Sequence, residues 1–266
     1  MSDPPLARFA ALMAGPEEDV ALDEAALLVA AVDHPVDVAA RRAELDILAT
    51  GVGEPTVDGL RRALFSPPGP AGGPAFTGDA DTYDHPDNSH LDRVLDRRTG
   101  LPILLSILTC EVGRRAGVPL APVALPGHVL VRAVSEPDRF LDPFHGGREL
   151  DGAGCAELFA MLHGARAPFS ARYLDPVAPR LLFTRVLANL EASYARRRRR
   201  AGMAGALALR ATISPLDPDV QRRLSAALAA VGDWRASAAA LQPLLAVAPD
   251  ADDLARRARV LLARTN

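Results

Sequence analysis

The apolar residues of this chain change their spacing at one place, Gly117, and that change limits which folds are open to it. Upstream, Ile103, Leu104, Ile107, Leu108 and Val112 recur at helical spacing behind Thr99-Gly100-Leu101-Pro102. Thr99 or Gly100 suits a cap, and Pro102 suits a first turn, where its missing N–H had no helical partner. Gly117 suits the stop. Downstream, residues 118–125 and 127–134 read as strands, 135–138 as a turn, 139–142 as a third strand and 148–150 as a fourth. Helical spacing returns over 155–162. A buried helix that feeds a small antiparallel sheet makes the middle of the chain α+β.

The flanks read differently. Residues 5–65 carry apolar stripes at helical spacing, and the Gly- and Pro-rich stretch 66–81 reads as a loop without the GxGxxG spacing of a nucleotide cradle. From Pro179 onward the pattern is helical throughout. Ser214-Pro215-Leu216-Asp217 and Ala248-Pro249-Asp250-Ala251 stand 34 residues apart, the period of tetratricopeptide helical pairs, with residues 179–213 as a degenerate earlier unit. The expected organisation is residues 1–170 as N-terminal helices plus the α+β core, and 175–266 as an all-α tail packed against it.

Composition removes several functions. All 30 basic residues are arginine, which excludes lysine Schiff-base chemistry, a lysine general base and a Walker phosphate loop. A net charge of −3 supplies no global field for nucleic acid or membrane lipid. The five arginines 196–200 read as a solvated helix connection, so nucleic acid is not an expected partner. Two cysteines, Cys110 and Cys155, build neither a disulfide scaffold nor a zinc cluster. The start Met1-Ser2-Asp3-Pro4-Pro5 lacks the basic residues of a signal peptide, and the most apolar stretch, 101–110, is about half a membrane span, so a cytoplasmic location is expected.

The best candidate for chemistry is His128, within Leu125-Pro126-Gly127-His128, together with Asp142, within Phe140-Leu141-Asp142-Pro143. A carboxylate on the neighbouring strand fixes an imidazole tautomer. Register decides whether they meet. A four-residue turn at 135–138 puts them on opposite faces of the sheet, whereas a three- or five-residue turn or a bulge puts them on the same face.

Three strings carry a resemblance: Asn88-Ser89-His90-Leu91-Asp92-Arg93-Val94-Leu95-Asp96-Arg97-Arg98-Thr99-Gly100-Leu101-Pro102-Ile103, then Gly127-His128-Val129-Leu130-Val131-Arg132, then Leu141-Asp142-Pro143-Phe144-His145-Gly146-Gly147-Arg148. Together they resemble the bacterial SirB-type transglutaminase-like family, densely over residues 80–150 and more loosely elsewhere. The resemblance implies a papain-like core with N-terminal helices before it and a tetratricopeptide-like tail after it. It also implies the Cys-His-Asp arrangement of the wider superfamily, whose cysteine opens the buried helix while the histidine and aspartate lie on adjacent strands. His128 and Asp142 match the last two positions. The helix-opening position falls at or beside Pro102, and no cysteine lies between 99 and 106.

A triad without its nucleophile loses the covalent step. Cys110 lies about 12 Å further along the helix at 1.5 Å per residue and reads as a core thiol. Cys155 starts a different helix, Thr99 reads as a cap, and Ser106 reads as packed. The set Asp84, His85, Asp87 and His90 reads as a polar loop rather than a metal site, because its histidine spacing fits no helical pair. Asp92, Arg93, Asp96, Arg97 and Arg98 read as a solvated, ion-paired helix face. His145-Gly146-Gly147-Arg148 reads as a turn. No metal and no cofactor is expected. The function that follows is a non-catalytic, regulatory transglutaminase-like protein that binds a protein or peptide through its cleft or its tail. The alternative is a hydrolase or amide-processing enzyme in which His128 is the base and Asp142 orients it.

Overall fold

The computed structural model describes residues 4–67, 75–248 and 252–264. Part of the loop expected over 66–81, and the second Pro-Asp turn at 249–251, lie outside the described residues. Four helices come first: α1 (Pro5–Ala14), α2 (Leu22–Asp33), α3 (Val38–Thr50) and α4 (Val57–Phe65). The start of α3 is set by Asp37, whose carboxylate accepts from Ala40 N–H, and that of α4 by Thr56, whose hydroxyl accepts from Gly59 N–H.

A two-residue strand β1 (Thr77–Gly78) leads to a 3-10 turn at Pro86–Ser89 and to α5 (Leu91–Arg97). Thr99 and Gly100 do not cap the next helix. They form β2 (Thr99–Gly100), parallel to β1 with Thr77 opposite Thr99 and Gly78 opposite Gly100. The cap position of α6 (Pro102–Arg115) falls to Leu101, which makes no side-chain capping bond, and Pro102 is the first helical residue. Pairing with β1 claims the backbone at 99–100 and displaces the local capping choice.

Helix α6 is the axis of the molecule. Every residue from Pro102 to Gly113 is buried, so the five-residue apolar stripe understates its environment. A helix enclosed on all sides has no polar face. α2, α3, α4, α5 and α8 (Pro179–Arg197) surround it together with the sheet.

Gly117 ends the helix with φ 77°, and the chain continues into β3 (Leu120–Val123), β4 (Leu130–Ala133), β5 (Phe140–Asp142) and β6 (Arg148–Leu150). The four strands form an antiparallel meander in chain order. Val129, Val131, Ala133 and Leu141 face the main core with α6, whereas Val123, Leu125, Leu130 and Phe140 face α7 (Gly152–His163) through Cys155, Leu158 and Phe159. The strands are shorter than their apolar runs because only the central residues are paired. Asp151 caps α7 by accepting from Gly154 N–H.

Helix α8 and then α9 (Arg200–Ile213) close the back of the main core. Leu182, Phe183, Val186, Leu187, Leu190 and Tyr194 join the same cluster as α1 and α2, with Phe9 and Phe183 packed edge to face at 5.8 Å. Each such fully buried side chain contributes about 1.5–3 kcal/mol. α10 (Pro218–Ala230) packs on α9, and α11 (Trp234–Ala239), α12 (Gln242–Val247) and α13 (Asp252–Leu262) follow. Ala238, Leu241, Leu244, Leu254, Ala258 and Leu261 form a separate apolar cluster there. No helix of the described residues is long and apolar enough to cross a membrane.

Candidate functional site

The connection between β4 and β5 decides the geometry of the site. Arg132 lies opposite Phe140 and Val131 opposite Leu141, and Ala133 N–H donates to Arg139 C=O. That leaves five residues, 134–138, in the loop, and this register puts His128 and Asp142 on one side. Nε2–H of His128 donates to Oδ1 of Asp142 at 2.9 Å. His128 is 6% exposed and Asp142 is fully buried.

Asp142 then ends its strand and caps the 3-10 turn Pro143–His145, accepting from His145 N–H at 3.3 Å. The same turn brings Nδ1–H of His145 to Oδ2 of Asp142 at 2.7 Å, with an Arg148 guanidinium 3.6 Å from that oxygen. Two imidazoles therefore donate to one carboxylate. Burial alone would push that carboxyl up, but the bonds from His128 and His145 outweigh it and hold Asp142 below its usual range. An ionised carboxylate accepts only, so the proton of neutral His128 sits on Nε2 and its Nδ1 carries the lone pair. No described residue bonds Nδ1.

Three further elements hold His128. From α8, the Arg185 guanidinium donates to the carbonyls of His128 (3.1 Å) and Leu125 (3.3 Å). From the second turn of α6, the Ser106 hydroxyl donates to Val129 C=O at 3.4 Å, which ties the early part of that helix to the same stretch of chain. The Phe144 ring meets His128 edge to face at 5.9 Å and lies over Gly78, beside the strand that opens α6. A Cβ on Gly78 would stand 2.3 Å from the Phe144 ring. Gly78→Ala is therefore expected to displace Phe144 and shift the His128 imidazole resonances in an NMR spectrum while leaving the fold intact. Unchanged resonances would show that the ring does not set the imidazole's position.

A cavity of about 110 Å³ lies beside the mouth of α6, between Leu101, Tyr83, Ser89 and the α8 residues Asn189, Ser193 and Arg196. Tyr83 packs edge to face on Phe144 at 5.8 Å, which links the cavity wall to the His128 site. A wider depression of about 960 Å³, lined by Glu136, Asp138, Arg139, Glu149 and Asp151, lies at the hairpin end of the sheet, away from His128. The small cavity is the relevant one because Leu101, at the helix N-terminus, lines it and its Tyr83 wall packs on the Phe144 ring that meets His128.

Neither thiol reaches this place. Cys110 is buried in the third turn of α6, where burial pushes its thiol far up. Cys155 is fully buried against α7's side of the sheet, and burial followed by the nearby carboxylates pushes its thiol up to about 12. Both are protonated core thiols.

Other expectations divide. Asp84, His85, Asp87 and His90 do not converge: Asp84 pairs with Arg197 at 3.1 Å, His85 turns to Asp87, and His90 enters the core. Asp92 is not on a solvated face; it is 3% exposed and accepts from His34 Nε2–H at 2.8 Å, because α5 lies against α2. Of the basic run, Arg196 and Arg197 pair with Asp84 and Arg199 with Asp33. His145, Phe144 and Arg185 were not singled out in advance. His145 sits in a string that reads as a turn and Phe144 just before it, whereas an arginine among the apolar residues of α8 was a legible signal.

A central helix packed against a histidine just before one strand and a hydrogen-bonded aspartate at the end of the next is the arrangement of transglutaminase-like proteins. Residues 30–188 match the family model described as Transglutaminase-like superfamily, and the chain belongs to that family. A UPF0162 protein of Xylella fastidiosa is 41% identical over 124 residues, 45% of this chain and 44% of that protein. A UPF0162 protein of Pseudomonas aeruginosa is 34% identical over 184 residues, 65% of each chain. F-box only protein 21 of Mus musculus is 46% identical over 57 residues, 21% of this chain and 9% of that protein. The chain thus spans between 44% and 65% of the length of these two bacterial relatives. The UPF0162 matches agree with the SirB-type resemblance. No solved structure matches the chain.

Proposed function

We propose that this chain is a transglutaminase-like protein that recognises a protein or peptide segment at the His128 site without forming an acyl-enzyme, and that it acts by regulation. One observation carries the reading: a proline begins the central helix, and both cysteines of the chain are enclosed in apolar clusters. An acyl transfer of the superfamily's kind needs a thiolate at the helix mouth. The Nδ1 lone pair of His128 is free to accept a peptide N–H, and the cavity beside Leu101 admits a small side chain. The tail from residue 175 onward, read as tetratricopeptide-like, would offer a second binding face, and its separate apolar cluster supports treating the last helices as a unit of their own. Two unpaired buried cysteines suit a reducing compartment, the cytoplasm.

The same free Nδ1 favours one alternative, a hydrolase in which His128 activates water and Asp142 orients the ring. Incubation with amide, peptide and ester substrates separates the two. Turnover at the buffer rate, equal in wild type and His128→Ala, is expected, together with peptide-library binding weakened at least tenfold by that substitution. Turnover that His128→Ala abolishes would replace the binding reading with the hydrolase.

A further inference from the structure

A second histidine cluster lies outside the His128 site, where the end of α2, the start of α5 and the last turns of α8 converge. Asp33 ends α2 and His34 caps it, while His90 opens α5. One donor atom each from Asp33, His34 and His90 lie within 4.8 Å of one another. The two imidazole rings stand 5.2 Å apart, and Nδ1 of His34 is 3.7 Å from Oδ2 of Asp33.

Each ring is tied back by its other nitrogen. His34 Nε2–H donates to Asp92 at 2.8 Å, which leaves the His34 lone pair on Nδ1. Nε2 of His90 lies 3.2 Å from the Tyr194 hydroxyl, which itself interacts with Asp33. In the tautomer whose Nε2–H donates to the Tyr194 oxygen, His90 too carries its lone pair on Nδ1. That atom is enclosed in a residue 1% exposed and has no partner among the described residues. Burial first, against the attraction of nearby carboxylates, pushes His90 down to about 4, so the ring is neutral at physiological pH.

An imidazole held by a carboxylate behind it, with its lone pair facing another imidazole and a second carboxylate, is the donor chemistry of a Zn²⁺-type ion. We propose that Asp33, His34 and His90 bind a divalent transition-metal ion of the Zn²⁺ class, oriented by Asp92 and Tyr194. The ion clasps the end of α2 to the start of α5, which are far apart in the chain, and leaves one coordination position for water. Two guanidiniums face the cluster, Arg199 at 3.4 Å from Asp33 and Arg93 at 3.7 Å from Asp92, both on its solvent side. Metal–nitrogen bonds of about 2.0–2.1 Å require the three donors to draw inward by a small side-chain rotation.

The test uses the full chain, stripped with chelator and titrated with ZnCl₂ by calorimetry and with CoCl₂ by visible absorption. One equivalent of each is expected to bind, with the intense visible band of low-coordinate Co²⁺ and a raised melting temperature. His90→Gln should abolish the Co²⁺ band, Asp92→Asn should weaken binding about 10–100-fold, and His145→Ala should leave both unchanged. If circular dichroism shows His90→Gln unfolded, Asp33→Asn, at the cluster's solvent edge, decides by the same readout. Absence of saturable Zn²⁺ binding by the folded wild type overturns the proposal. So does full binding by a folded His90→Gln or Asp33→Asn, or loss caused by His145→Ala instead, which would move the ion to Asp142.

Discussion

Asp23→Ala is expected to lower the unfolding free energy by about 1.5–3 kcal/mol at neutral pH, because it removes the buried acceptor of two charge-assisted hydrogen bonds. Asp23, in α2, is fully buried. Its Oδ2 accepts from Arg115 at the end of α6 (2.5 Å) and from Arg42 in α3 (2.8 Å). Arg115 is 10% exposed and also holds Glu111 and Asp46, each at 2.6 Å. Arg42 is 36% exposed, so water compensates its loss and most of the cost falls on Arg115. Oδ1 of Asp23 has no partner among the described residues, so the pair is incompletely satisfied. Replacing both partners, Asp23→Leu with Arg115→Met, should not recover the loss, because it also takes the Arg115 guanidinium from the buried Glu111 carboxylate. Urea unfolding measures both. A loss below about 1 kcal/mol for the single variant would show that solvent reaches the pair.

The same carboxylate sets an acid dependence. Burial raises the Asp23 pKa, but the bonds from Arg42 and Arg115 outweigh it, and the folded value lies below 3.8. A depressed carboxylate stabilises above its unfolded pKa and loses that contribution as pH falls through the folded one. The gap between wild type and Asp23→Ala should close below about pH 4.

Asp142→Ala is the second large effect, about 3 kcal/mol, since it removes the acceptor of two histidine bonds and of the His145 N–H. Asp142→Asn keeps one acceptor oxygen and should cost about half as much. Folded Asp142 is also depressed, so this stabilisation too is present above pH 3.8 and fades in acid. The loss should extend to the site. Without Asp142 the Nε2–H tautomer of His128 is no longer imposed, and ¹⁵N shifts of the imidazole should show both tautomers. A single Nε2–H form persisting in Asp142→Ala would assign the orientation to Arg185 and Phe144 instead.

Much of the fold was legible because it is local. The period change at Gly117 located α6 and the four strands to within a few residues, since alternation and helical spacing depend only on neighbours along the chain. The stretch before α6 misled because Thr99 and Gly100 pair with residues 77–78, a partner no local rule anticipates. The side-chain role of His145 was hidden because Gly146 and Gly147, with φ of 67° and 70°, reverse the chain right after it. A Cβ on Gly147 would stand 2.4 Å from the Phe65 ring, so both the turn and the packing call for glycine there.

The sequence by itself determined the long helices and the four-stranded meander, their order, the α+β class and the vacancy where a thiol would open α6, because periodicity, turn chemistry and the presence of a cysteine are all read along the chain. Only the tertiary structure decided the register that brings His128 to Asp142, the burial of Asp92, and the convergence of Asp33 and His34 with His90. Those depend on contacts between residues 14 to 58 positions apart, and packing rather than local preference chooses such partners.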